Sequence, residues 1–563
     1  GYQIYYGNPV DAIVYFKRSI DLINSDFGEC IDCGNVNPEQ IFNIIETRVI
    51  NEYGQFTNER KILPKQWARI YEKSAKEISA KSVTDTLTST LRIPNKLKQA
   101  RLFGLRDIQA KIHNQQYMII NLLEAPLLAF ILAFIVRYYN EDDKLLLGYY
   151  FGKNLNLPAY LFMSVIVALF MGLTVSAEEI IRDRKILKRE AFLHLSRSSY
   201  LLSKISILFF LSSIQTLTFV IVGNSILQIQ GMVLEHWLIL WSVSCFANVL
   251  GLNISSAFNS AVTIYILIPL LIIPQLILSG VVVKFDKLNP VIGNTATVPT
   301  VGDIMASRWA FEAAMVAQFK DNPFEEEFYM YDKILANADY KKLYLIPEIE
   351  SKLQFCINNY QSHSPEVKAI LIANLDLVRK EIKREAESVT NDEHPWIQNL
   401  SINSFDSTTY NQALEFLATL RRVYINRYNK TDAEREKKIN ELTATPELER
   451  QFSEEKKKYQ NEAISELVKN LSEMHRIIEK DGKLIQKIYP IYKDPDPDHV
   501  IDFDAQFYMP AKHFLNRNID TLYFNTGVIW AMSLFLAVAL YFDLLRKLII
   551  GVGNLSNPLY KKA

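Results

Sequence analysis

Residues 118–138 read MIINLLEAPLLAFILAFIVRY, and this stretch decides what kind of molecule the chain builds. Only Glu124 and Arg137 carry charge in it. Some 20 helical residues cross the ~30 Å hydrocarbon layer of a bilayer, and in lipid every backbone amide must pair within its own segment. The stretch therefore reads as a membrane-crossing helix. Five more of similar length follow at about 157–177, 202–223, 234–255, 261–283 and 522–542. Pro269 and Pro274 put kinks in the fifth.

Chain averages hide this pattern. The 563 residues carry 62 basic and 62 acidic side chains, and 49% are apolar, which taken alone would suit a soluble protein. Balanced charge argues against a nucleic-acid partner, which calls for a basic excess. The uneven distribution decides the class: an integral membrane protein with large water-exposed parts, mainly α. Four cysteines exclude a disulfide scaffold. Cys30 and Cys33 form a lone CxxC, either part of a zinc site or two thiols in a loop. No GxxxxGK[ST], HExxH or GxSxG pattern occurs, so no catalytic residue is assigned. Gly1 at the first position and the lack of a signal peptide fit a fragment or a processed product.

Loop charge gives the orientation. Residues 178–204 hold Arg182, Arg184, Lys185, Lys188, Arg189, Arg197 and Lys204, and the tail holds Arg546, Lys547, Lys561 and Lys562. On the other side, residues 139–156 set Lys144 and Lys153 against Glu141, Asp142 and Asp143, while 224–233 have no basic residue. Lys and Arg stay in the cytoplasm, so both termini are expected inside an inner or plasma membrane. Residues 284–520 are then extracytoplasmic. This gives a 1–90 piece, a 91–116 amphipathic connecting helix, helices one to five over 117–283, the outer domain, a sixth helix over 521–546 and a 547–563 tail.

The outer segment reads as mainly helical. Ser364-Pro365-Glu366 and Thr445-Pro446 look like helix starts, and Thr431 with Glu434 like a capping box. The charged run 446–480 suits either a coiled-coil arm or a solvated surface helix. At the other end of the chain, Gln3 to Pro9 looks like a strand entering a turn. Before the first span, Lys96, Lys98, Arg101, Arg106 and Lys111 alternate with Leu97, Leu102, Phe103, Leu105 and Ile108, which suits a helix on the membrane surface.

Among candidate residues, Glu124 is an intramembrane carboxylate, a functional candidate by default, although it could also reach the interface or a basic neighbour. Glu178 and Glu179, just ahead of Arg182 and Arg184, suit a charge network at the membrane edge that transmits motion. Asp494, Asp496, Asp498, His499, Asp502 and Asp504 suit either a divalent cation or a stiff acidic loop, given Pro495 and Pro497.

Several segments together resemble the G subfamily of ATP-binding cassette transporters, with their ABC-2 type membrane domain and a bacterial-like character. They are GYQIYYGNPVDAIVYFK at the start, Cys33-Gly34-Asn35-Val36-Asn37-Pro38 with Phe42, EEIIRDRKILKREAF with SSYLLSK, IPLLIIPQLILSGVVVKFDKL, and SRWAFEA at 307–313. Glu39 departs from the family's small residue. The outer loop is several times the family's usual length, and the chain starts where the nucleotide-binding domain would end. ATP and Mg²⁺ would then bind on a domain upstream or separate, with no cofactor in this chain.

The resemblance implies an exporter built from two membrane domains, most simply a homodimer. Phe170, Met171, Ile273 and Leu276 match cavity-lining positions, Val281 and Val282 an outer gate. Glu178, Glu179, Arg182, Arg184 and Arg189 match the coupling to the nucleotide domain. Ordinary packing or lipid contact is the alternative for each of the cavity and gate positions. The cargo would be lipid-like or amphipathic. Two other readings stand beside export: a mechanotransmitting protein that drives an extracytoplasmic partner through its outer domain, and a membrane anchor that displays this domain.

Overall fold

The computed structural model describes residues 1–23, 25–26, 37–75, 94–138, 149–190, 193, 195–389, 394–497 and 499–556. Cys30, Cys33 and Asp498 lie outside the described residues. The chain divides into two units, Gly1–Arg92 and Ile93–Ala563.

The first unit holds α1 (Pro9–Arg18), α2 (Glu39–Ile45), a hairpin of β1 (Arg48–Ile50) and β2 (Phe56–Arg60), and α3 (Pro64–Ser74). Its small core joins Ile13 and Phe16 to Trp67, with the Phe16 and Trp67 rings edge to face at 5.3 Å. The strand expected over Gln3–Pro9 does not form. Tyr5 instead lays its ring against Tyr15, 5.1 Å away, and Pro9 starts a helix with its preset backbone angle.

The second unit begins with α4 (Lys96–His113), capped by the Asn95 side chain, which accepts from the Lys98 amide. Then come α5 (Gln115–Val136), α6 (Leu157–Ala177), α7 (Glu179–Arg189), α8 (Arg197–Leu227), α9 (Val233–Ala257) and α10 (Ala261–Ile277). Among the described residues, five helices are long and apolar enough to cross a membrane: Gln115–Val136, Leu157–Arg189, Arg197–Leu227, Val233–Ala257 and Thr521–Tyr541. The expected 261–283 span ends early. α10 has 17 residues, about 26 Å of helix at 1.5 Å per residue. It ends because Gly280 adopts φ +82°, and the left-handed turn redirects the chain.

Helices α6 and α9 form the centre of the bundle. They approach closely at Gly172, where a Cβ would sit 2.6 Å from the Ser244 carbonyl oxygen. Small residues serve the same end on α5, which turns Asn121, Ala125, Ala129 and Ala133 inward at every fourth position and leaves Leu122, Leu127, Phe130 and Phe134 exposed. Exposed leucine and phenylalanine on a membrane helix are the lipid-facing side.

After α11 (Thr300–Asp303) and the buried α12 (Ala306–Lys320), the insertion builds a second core. Helix α13 (Glu325–Tyr340) runs through a wide turn at Lys341–Leu345 into α14 (Ile346–Asn359), and both pack with α15 (Pro365–Val389) and α16 (Ser407–Leu442). Leu353, Leu375, Val378, Ile382, Leu417 and Leu420 fill the space between them. The Thr431 capping box does not form. Thr431 is buried well inside the 36-residue α16, whose N-cap is Asp406. The run 446–480 makes no continuous arm, because α17 (Pro446–Tyr459) and α18 (Glu462–Lys469) are separated at Gln460 and Asn461. It ends in a hairpin of β3 (Ile477–Lys480) and β4 (Lys483–Gln486), turned by Asp481 and Gly482, both with positive φ. A second hairpin, β5 (Ala511–Phe514) and β6 (Arg517–Asp520), leads into α19 (Thr521–Tyr541) and α20 (Leu544–Ser556). The helix starts expected at Pro365 and Pro446 are where α15 and α17 begin.

Candidate functional site

Helix α4 buries a row of every fourth residue, Gln99, Phe103, Asp107 and Lys111, and leaves Leu97, Leu102, Leu105 and Ile112 exposed. Its leucines thus face outward, as do Lys96, Lys98, Arg101 and Arg106, while Asp107 and Lys111 face the bundle. For a helix at a membrane surface that orientation is sensible, since the exposed leucines have lipid to meet. The inward charges then need partners.

They find them on α7 and α8. Lys111 Nζ donates to Asp107 Oδ2 at 2.6 Å and to Glu179 Oε2 at 3.0 Å. Lys204 Nζ, from α8, donates to Asp107 Oδ1 at 2.6 Å and to Glu179 Oε2 at 2.7 Å, and pairs with Asp183 at 2.9 Å. Arg182 closes the set on Glu179 Oε1 at 3.1 Å, and the Tyr200 hydroxyl donates to Asp183 at 3.0 Å. Asp107, Glu179 and Asp183 balance Lys111, Lys204 and Arg182. Burial acts to raise the Asp107 carboxyl, but Lys204 and Lys111 outweigh it and hold it below the usual carboxylate range. Desolvating so many charges offsets most of their attraction, so the cluster adds little net stability. It fixes geometry instead, because pulling one member away strands its partners.

The start of α7 is also tied to α9. The amides of Ile180 and Ile181 both donate to Ser255 Oγ at 3.1 Å. Arg184 donates to the carbonyls of Ser255, Ser256 and Phe258 and to Asn259 Oδ1, covering the negative end of the α9 dipole. Glu178 is half-buried and lies beside the Tyr265 hydroxyl of α10. Arg189 is exposed. Four of the five expected coupling residues, Glu178, Glu179, Arg182 and Arg184, thus hold a single junction of α4, α7, α8, α9 and α10.

A second buried cluster lies beyond α10. The backbone amide and hydroxyl of Ser307 donate to Gln275 Oε1 and to the Gln275 carbonyl at 3.0 and 2.6 Å, binding α12 to the end of α10. One turn on, Glu312 is fully buried. It accepts from Lys512 Nζ of β5 at 2.7 Å, Asn525 Nδ2 of α19 at 3.0 Å and the Tyr508 amide at 3.1 Å. Burial acts to raise the Glu312 carboxyl, yet Lys512 and Arg308 hold it below its usual range. Arg308 lies over the Trp309 ring, 3.7 Å from its centre.

The remaining candidates are scattered. Phe170 on α6 and Ile273 on α10 are exposed, whereas Met171 is 1% exposed in the bundle core and Leu276 packs against that core. Val281 lines a cavity beside Phe285, and Val282 is exposed. Glu124 is half-buried on α5 and forms no hydrogen bond or ion pair among the described residues. Asp494 pairs with Lys333 and Asp496 with Arg384. Among the described residues, no three His, Cys, Asp or Glu side chains gather to hold a metal.

Sequence reading missed Asp107, Lys111, Asp183 and Lys204 as members of the inner cluster. The available signal was Asp107, the one acid in an otherwise basic helix, four residues ahead of Lys111. Lys204 gave no signal, since it counted only as a cytoplasmic charge.

Residues 98–319, which run from α4 through α12, match the family model of the ABC-2 type transporter. No curated protein matches the chain significantly. The matched segment contains the whole inner cluster and both ends of the Ser307–Gln275 link. This match covers less than half of the chain, and with the five long apolar helices it makes residues 98–319 similar to the membrane domain of an ABC-2 type transporter.

Proposed function

We propose that the chain is the membrane permease of an ATP-driven ABC exporter, paired with a second copy of itself and moving lipid-like or amphipathic cargo outward. ATP and Mg²⁺ would act on a nucleotide-binding domain upstream or separate. One observation carries this reading: the buried cluster of Asp107, Lys111, Glu179, Asp183 and Lys204 joins a surface helix, a short loop helix and a membrane helix. Such a joint lets the three elements move as one piece under an applied push. The exposed apolar faces of Phe170 on α6 and of Ile266, Leu270 and Ile273 on α10 support the second-copy and cargo parts. They offer lipid, partner helix or cargo an apolar wall.

The test uses the complete transporter with its ATPase. Exchanging Glu178 and Glu179 for glutamine should lower cargo-stimulated ATP hydrolysis about tenfold, within the usual range of coupling free energies. Unchanged stimulation in a correctly folded double variant rules the coupling role out.

The second reading is mechanotransmission, in which motion of α10 is relayed to residues 284–520 and a protein partner there, with no cargo in the helices. The Ser307–Gln275 link and the Lys512–Glu312 pair favour it, since they give α10 a direct mechanical connection to the insertion. Flux of a labelled lipid in reconstituted vesicles separates the two: ATP-dependent flux supports export, and ATP hydrolysis without flux supports the relay.

A further inference from the structure

At the same end of the bundle as the inner charge cluster, the structure forms a cavity of about 370 Å³ between α4, α7, α8, α9 and the start of α20. Its floor is apolar, with Phe103 and Leu187 among its residues, and its wall carries Arg184, Arg197, Arg546 and Asp543. Among the described lining residues, three cations therefore face a single carboxylate.

That carboxylate is already committed. Asp543 accepts the Ser256 hydroxyl at 2.6 Å and pairs with Arg197 at 2.5 Å. Both Nη1 and Nη2 of Arg197 reach Asp543, and Nη2 also donates to the Leu540 carbonyl at 3.0 Å. Arg184 donates to the carbonyls at the end of α9 and to the Asn259 amide oxygen, and no carboxylate pairs with it. Asp183, the nearest other acid on α7, is neutralised by Lys204 at 2.9 Å. Arg546 is exposed at the cavity mouth, near enough to Asp543 to feel its charge, and donates no hydrogen bond among the described residues. The cavity thus holds two positive charges more than its own groups can balance.

What lies beside the mouth identifies the source of the missing anion. Helix α20 starts there and leaves Leu544, Leu548 and Ile550 exposed next to Arg546 and Lys547, directly after the exposed Phe542 at the end of α19. An amphipathic helix of this kind, following a membrane span, lies at the headgroup level of the bilayer. Basic pockets between membrane helices at that level are suited to anionic lipid headgroups.

We infer that this cavity binds the phosphate of an anionic phospholipid, with Arg546 and Arg184 on the phosphate and the acyl chains against Phe542 and Leu548. Such a lipid bridges α7, which belongs to the coupling junction, and α20. It would make the coupling depend on membrane composition. The inference is independent of the cargo and of the direction of transport.

The test is native mass spectrometry of the full chain released from micelles containing equal amounts of phosphatidylglycerol and phosphatidylcholine. The expected result is a retained phosphatidylglycerol adduct at least tenfold more abundant than the phosphatidylcholine one. Arg546→Glu should reduce the phosphatidylglycerol adduct about tenfold, and Arg546→Lys should keep it within about threefold. Lys547→Glu, one residue on and outside the cavity, should leave it unchanged. Equal retention of the two lipids, or equal loss in the Arg546→Glu and Lys547→Glu variants, overturns the site. Displacement of the lipid by millimolar inorganic phosphate assigns the cavity to a free anion and overturns the lipid reading.

Discussion

Lys204 Nζ and Asp107 Oδ1 lie 2.6 Å apart, joining residues 97 positions distant in the chain. Both side chains are under a tenth exposed. Since Lys204 also serves Glu179 and Asp183, one ammonium holds three carboxylates from two helices. Helices α4, α7 and α8 therefore meet in the same few atoms.

Lys204→Met tests that concentration of charge. Removing Lys204 leaves three buried carboxylates against Lys111 and Arg182, and breaking a buried ionic cluster in this way costs about 3–5 kcal/mol. The variant should lose this much in denaturant unfolding of the micelle-embedded protein. A variant as stable as the parent would mean that water reaches the cluster and that the junction is loose.

Lys512→Met should act in the same way on the second cluster, leaving Glu312 buried beside Arg308 alone, with a loss again of about 3–5 kcal/mol. Adding Glu312→Leu should restore part of it, because an apolar replacement of both partners removes the stranded charge. If the double variant is worse than the single one, the pair contributes through hydrogen bonds to Asn525 and Tyr508 more than through charge.

Gly280→Ala should destabilise by about 1–3 kcal/mol. Its φ of +82° disfavours any side chain, and a Cβ there would lie 2.5 Å from the Phe285 ring. Combining it with Phe285→Ala relieves the contact and leaves the backbone strain. The double variant should therefore recover none of the strain component, measured against Phe285→Ala alone.

Asp321 gives a pH signature. Burial pushes its carboxyl up to about 6; Lys320 opposes that rise, while Asp520 and Glu235 add to it. An unfolded aspartate titrates near ~3.9. Because the folded state holds the proton more tightly, the contribution is complete below pH ~4 and fades as the pH rises through about 6. It amounts to about 3 kcal/mol. Thermal unfolding of the parent should therefore weaken from pH 4 to 7 relative to Asp321→Asn, which lacks the titration. Parallel curves would place Asp321 in contact with water.

The membrane helices were legible because spanning lipid demands a long apolar run, and that demand is local to each segment. Residues 118–138 needed nothing else to be read. The shortening of α10 was less legible, since Ser279-Gly280 ends a helix only when the left-handed turn is seen to form. Periodicity placed α4 at a surface, but Asp107 and Lys111 point inward, and a basic helix gives no sign of which lysine meets a distant carboxylate. Thr431 failed for the opposite reason. A local cap pattern lost to the packing of α13 against α16, which carries the helix straight through it. Glu178 and Glu179 were found because two acids before a basic run are unusual, whereas Lys204 looked like any other cytoplasmic lysine.

The two hydrogen bonds from Ser307 to Gln275 tie α10 to α12, which leads on to the packed helices of the insertion. The longest of these is α16, 36 residues and therefore about 54 Å long. A tilt of α10 by only ~5° would sweep an arm of that length through about 5 Å at its tip. A movement too small to open a passage between helices would still be a large stroke at the far end of the insertion.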